Sequence, residues 1–289
     1  GAVIAACATS GKWELALHLV DELEASGLRP NVIIYTAAIS ACEKGKQFDK
    51  ALDLFDALQQ RGLQADVVTY NAMIAACEHG GRWEAALQFK AELRAQGLTP
   101  DIITYGSTIK ACANAGKWEE ALDLLSELRE DSNVEPNVIA YGAVIAACAT
   151  SGKWELALHL VDELEASGLR PNVIIYTAAI SACEKGKQFD KALDLFDALQ
   201  QRGLQADVVT YNAMIAACEH GGRWEAALQF KAELRAQGLT PDIITYGSTI
   251  KACANAGKWE EALDLLSELR EDSNVEPNVI AYGAVIAAC

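Results

Sequence analysis

Positive charge is scarce in this sequence: 24 Lys and Arg stand against 40 Asp and Glu, giving a net charge of −16 and a pI ≈ 4.7. Attraction to phosphate normally dominates nucleic-acid affinity, and this balance opposes it. Long apolar runs are missing as well. The longest, around Val138 to Ala149, is shorter than the roughly 18 residues of a membrane span, and no charged-then-apolar secretory leader is visible. No membrane partner is expected. The chain also lacks the constellations that carry chemistry: a nucleophile beside a base, a glycine loop that cradles phosphate, or Cys and His at zinc spacing. His79 and His220 follow Glu78 and Glu219 on polar segments and read as surface residues. The chain is therefore read as non-enzymatic, with no cofactor and no metal.

What is present is repetition. Residues 1–141 recur unchanged as 142–282, and 283–289 restart the same text. Within a block, Tyr35, Tyr70, Tyr105 and Tyr141 are spaced by 35, 35 and 36 residues, so each block holds four repeats. A fixed period of this length is the signature of a solenoid. The expectation is a single continuous array over 1–289, made of the two identical blocks and the partial repeat. Hydrophobic residues make up 51% of the chain, enough to fill a core.

One unit, 32–66, shows the plan. Tyr35, Ala38, Ile39 and Cys42 step by three and four, the spacing of one helix face. Gly45 interrupts this first helix, and Gly81, Gly116 and Gly152 lie at or beside the equivalent place. A second run follows in Phe48, Ala51, Leu52, Leu54, Phe55 and Leu58, stopped by Gly62. Two helices of this size cannot bury their faces alone, so the repeats must stack into an all-α solenoid of helix-turn-helix units.

Nine cysteines fall once per repeat, from Cys7 to Cys289. Stacked helices lie roughly 8–10 Å apart, too far for a disulfide, so the ladder reads as reduced, small core residues in a reducing intracellular compartment. The aromatics that open each second helix, Trp13, Phe48, Trp83, Trp118 and their copies, are predicted to pack in the core across the helix pair, with Ala51, Ala86 and Ala121 three residues on.

The phrase GLTPDIITYGSTIKAC and its relatives GLQADVVTYNAMIAAC and GLRPNVIIYTAAISAC resemble the repeat junction of the pentatricopeptide repeat family, over the whole chain. The resemblance implies a right-handed α-solenoid superhelix whose first helices line a concave groove and read single-stranded RNA, one base per repeat. It assigns base choice to the residue after each Tyr and the last residue of the repeat. Those pairs are Thr36 with Asp66, Asn71 with Asp101, Gly106 with Asn137, Gly142 with Asn172, Thr177 with Asp207, Asn212 with Asp242, and Gly247 with Asn278. Thr with Asp implies guanine and Asn with Asp implies uracil. The Gly pairs depart from the family pattern, since Gly offers no donor or acceptor, and a purine preference there rests on Asn alone. The resemblance also assigns base sandwiching to Ile33, Val68, Ile103, Ile139, Ile174, Val209, Ile244 and Ile280. Both sets have a structural reading too: Asp and Asn cap helices, and an apolar residue two before the Tyr could be a helix-initiating core residue.

Two function classes follow. One is a modular binder of single-stranded RNA, weak to moderate and salt-sensitive, because Lys44 and Lys110 face Glu43, Glu78, Asp66 and Asp101 on the first helices. The other is an acidic scaffold rod. Since Val3, Ile4, Val285 and Ile286 belong to stripes another repeat would cover, the polypeptide is expected to continue in phase at both ends or to associate head to tail.

Overall fold

The computed structural model describes residues 2–272 and 274–288. Gly1 and Cys289, the terminal members of the repeat and thiol ladders, lie outside the described residues. Within the described residues the regular elements are all α-helices. In chain order they are α1 (Ala2–Ser10), α2 (Trp13–Ala25), α3 (Val32–Lys44), α4 (Phe48–Gln60), α5 (Val67–Gly80), α6 (Trp83–Ala95), α7 (Ile102–Asn114), α8 (Trp118–Glu130) and α9 (Val138–Thr150). The second block repeats them as α10 (Trp154–Ala166), α11 (Val173–Lys185), α12 (Phe189–Gln201), α13 (Val208–Gly221), α14 (Trp224–Ala236), α15 (Ile243–Asn255), α16 (Trp259–Glu271) and α17 (Val279–Ala288). The backbone divides into two compact units, 1–147 and 148–289.

Each unit is a helical-repeat solenoid in two layers. The first helices pack directly on one another, α1 on α3, α3 on α5 and α5 on α7 in one unit, and α11 on α13, α13 on α15 and α15 on α17 in the other. Second helices approach each other through long side chains, as where Phe55 of α4 sets its ring 5.3 Å from Phe89 of α6 in an edge-on contact. The first helices thus form the tighter layer of each unit.

The apolar stripes read from sequence fill the space between the layers: Tyr35, Ala38, Ile39 and Cys42 are buried, as are Ala51, Leu54, Phe55 and Leu58. Full burial of one such aliphatic side chain contributes about 1.5–3 kcal/mol, and every repeat supplies several. Six second helices close on a left-handed glycine, as where the amide of Gly62 donates to Gln59 and that of Leu63 reaches back to Leu58, which satisfies carbonyls the helix end leaves open; α8 and α16 end instead on extended Asp131 and Asp272.

The aromatics at the heads of the second helices depart from expectation. Trp13, Phe48, Trp83 and Trp118 are half-buried, and Trp259 is exposed. Trp13, Phe48 and Trp83 pack against the core from its margin, and their rings also reach the next repeat. A Cβ built on Gly45 would collide with the ring of Trp13, 2.9 Å from its Cγ, and one built on Gly80 would meet Phe48 Cβ at 3.2 Å. The ring of one repeat therefore rests on the interhelical turn of the next. Gly45 is present for this contact, while the left-handed position that is glycine in other repeats falls on Lys46, with φ 55°.

Candidate functional site

Each first helix from α3 onward opens on Asn or Asp. The side-chain oxygen of Asn31, Asp66, Asp101 and Asn137 accepts from the amide three residues on, that of Ile34 (3.1 Å), Thr69 (2.8 Å), Thr104 (2.8 Å) and Ala140 (2.9 Å). Asn172, Asp207, Asp242 and Asn278 repeat the arrangement. These are N-caps, and each also fixes the chain direction as the helix begins. At Asp101 the cap is reciprocal, since Thr104 Oγ1 accepts from the Asp101 amide at 3.1 Å.

The same carboxylates meet the residue after the preceding Tyr. Asn71 Nδ2 donates to Asp101 Oδ1 and Oδ2 at 3.0 and 3.2 Å, and its Oδ1 accepts from Thr104 Oγ1 at 2.6 Å. Asn212, Asp242 and Thr245 form the identical set. Thr36 reaches its neighbouring repeat through a hydroxyl: Thr36 Oγ1 lies 2.6 Å from Thr69 Oγ1, which donates to Asp66 Oδ1 at 2.7 Å. Thr177, Thr210 and Asp207 match them. At Gly106 and Gly247 no side chain stands, and a Cβ there would meet nothing within 4 Å. Gly142 lies half-exposed in α9, in the place after Tyr141.

Two residues beyond each cap, the branched apolar side chain points to solvent. Ile33, Val68, Ile103 and Ile139 are between 58% and 73% exposed, and so are Ile174, Val209, Ile244 and Ile280. They are not the helix-initiating core residues that periodicity alone allowed. Each first-helix N-terminus from α3 onward thus groups an exposed aliphatic side chain, a capping Asn or Asp and the residue after the Tyr.

The Tyr rings are buried, with Tyr282 the exposed exception, and their hydroxyls engage charged groups of the second helices. Tyr35 donates to Glu24 at 3.0 Å, which Arg61 pairs at 2.7 Å, and Arg94 donates to the Tyr105 hydroxyl at 2.8 Å. His79 is in the last turn of α5, its Nε2 3.3 Å from Glu43 Oε1. Burial pushes the neighbouring Glu78 carboxyl up against the pull of Lys110 and His79, with Glu43 adding to the rise. No group of three or more Cys, His, Asp and Glu that could hold a metal is found among the described residues, and no helix there is long and apolar enough to cross a membrane.

The profile of the PPR repeat family matches residues 30–79, 65–114, 171–219, 206–255 and 241–289, and that of the pentatricopeptide repeat domain matches 1–46 and 123–186. The chain belongs to the pentatricopeptide repeat family. None of the curated proteins matches it. Among solved structures it is similar to the pentatricopeptide repeat protein PPR10 from maize, with 22% identity and a TM-score of 0.58 over 99% of this chain and 51% of that one. PPR10 has also been crystallised with an 18-nt psaJ RNA element, and that structure matches with 21% identity and a TM-score of 0.54 over 99% of this chain and 52% of that one. The PPR domain of Arabidopsis thaliana protein-only RNase P 1, in complex with tRNA, matches 60% of this chain and 90% of its own length at 17% identity and a TM-score of 0.53. The chain therefore spans about half the length of PPR10.

Within this pentatricopeptide array, sequence reading overlooked Thr69, Thr104 and their copies. They stand directly before the Tyr, and they are buried and hydrogen-bonded between repeats.

Proposed function

We propose that this chain is a non-enzymatic binder of single-stranded RNA that reads one base per repeat from the N-terminal turns of its first helices, along a single continuous array over 1–289. The observation that carries this reading is the exposed aliphatic ladder from Ile33 to Ile280, one side chain per repeat. Folding does not require these groups in water. Placed on either side of a flat base they would bury their surface, and the Thr/Asp and Asn/Asp pairs beside them are suited to a base edge. The RNA complex of the similar protein PPR10 supports the same direction.

Thr36 with Asp66 and Asn71 with Asp101 take guanine and uracil, and their copies do the same four repeats later. The Gly106 and Gly247 pairs, with open space and an Asn, act as tolerant spacers. Binding is weak to moderate and salt-sensitive because the chain's net charge is −16.

The test compares a single-stranded RNA carrying GU steps every four nucleotides with one of the same composition in shuffled order. Tighter binding of the ordered RNA, and a move from uracil toward guanine in Asn71→Thr with Asn212→Thr, is the expected result. Equal affinity for both at low salt would defeat the reading. It would leave the acidic scaffold that the net charge favours.

A further inference from the structure

The residue directly before each Tyr varies in step with the residue after the Tyr one repeat earlier. Thr69 follows Thr36 and Thr104 follows Asn71, whereas Ala140 follows Gly106 and Ile175 follows Gly142. Helix capping does not require the hydroxyl, because Asn137 and Asn278 cap helices with Ala140 and Ala281 in that place. What the two threonines share is a hydrogen bond across the repeat boundary.

Proton accounting gives these bonds a direction. An ionised carboxylate only accepts, and a hydroxyl has one proton. Thr69 Oγ1 gives its proton to Asp66 Oδ1 at 2.7 Å, so across the 2.6 Å contact Thr36 must be the donor. Thr36 is left with oxygen lone pairs and no free hydrogen. At Asn71 the order reverses. A flipped amide would set its oxygen about where Nδ2 now stands, 3.0 Å from Asp101 Oδ1, an acceptor against an acceptor. Oδ1 therefore faces Thr104 Oγ1 and is occupied at 2.6 Å. The two oxygens of one carboxylate lie on the same side of Nδ2 and share one of its hydrogens, so Asn71 keeps its other N–H as its outward polarity.

We infer that Thr69, Thr104, Thr210 and Thr245 are positioning residues for base reading: from buried sites in the next repeat they make Thr36 and Thr177 acceptors, and Asn71 and Asn212 donors. This rests on the RNA reading proposed above. An acceptor pair suits guanine, whose N1 and N2 both carry hydrogens, over adenine. A donor suits uracil O4 over the amino group of cytosine.

The test measures binding of RNAs with G or A opposite Thr36 and Thr177, and U or C opposite Asn71 and Asn212. In Thr69→Val with Thr210→Val the guanine preference over adenine should fall about tenfold, the scale of one lost hydrogen bond, while the uracil preference stays. Thr104→Val with Thr245→Val should show the converse, and the Ser variants should restore both. An equal loss of affinity for every RNA, with base preference intact, would reduce the threonines to structural residues and overturn the inference. Wild type that discriminates no better than the valine variants overturns it too. A wild type that binds none of these RNAs overturns the RNA reading and this inference together.

Discussion

Gly45 and Lys46 share a turn whose two demands other repeats meet differently. Gly45 lies under the Trp13 ring and Lys46 takes a left-handed backbone that favours glycine. Gly45→Ala with Gly186→Ala should lower stability by about 1–3 kcal/mol per site, the usual cost of overpacking. Adding Trp13→Leu and Trp154→Leu should recover part of that loss, as a double-mutant cycle in chemical denaturation would read. Lys46→Gly with Lys187→Gly should move the other way, by about 1 kcal/mol per site, because the left-handed strain disappears. Glu78 adds a pH dependence. Its carboxyl is held above its ordinary range by burial, so the folded state binds this proton more tightly than the unfolded state does. The group weakens the fold at neutral pH and stops doing so as pH falls through its folded value. Glu78→Gln should therefore raise the unfolding midpoint at pH 7, with the gain fading as pH approaches about 4.

Between second helices, Lys90 is buried beside Glu127 at 2.6 Å, its ammonium 4.8 Å from the Tyr105 ring centre, and Arg94 also pairs with Glu127. Burial lowers the Lys90 pKa against the pull of Glu127. Removing the carboxylate leaves the cation stranded, so Glu127→Ala should cost about 2 kcal/mol, whereas Lys90→Met should be close to neutral or stabilising. The helices themselves were legible in the sequence because their stripes are local: Tyr35, Ala38, Ile39 and Cys42 lie within three turns, and burial followed the period. The partners of Trp13 and of Thr69 were not legible, because each contact joins residues a whole repeat apart and no pattern within one helix encodes it. The candidate base-reading and sandwiching positions were legible only through resemblance. Periodicity allowed Ile33 to be core, and only the packed neighbour shows that it faces water.

At the scale of the whole molecule, acidity sets how the proposed RNA binding should respond to salt. Lys44, Lys110, Lys185 and Lys251 are the cations of the first helices, so the slope of log Kobs against log salt should be no steeper than about −3, as a titration between low and physiological salt would show. Among the described residues of each unit, helices contact only those of their own and the adjoining repeats, so opening of one repeat need not open distant ones. The buried thiols give that independence a chemical signature. Burial pushes the thiols of Cys42, Cys112, Cys183 and Cys253 up to about 11 and those of Cys77 and Cys218 up to about 12. At neutral pH an alkylating reagent then finds almost no thiolate until a repeat unfolds around it. Each of these six cysteines becomes a clock for its own repeat: its labelling rate, divided by that of a free thiol, is the fraction of time that repeat stands open.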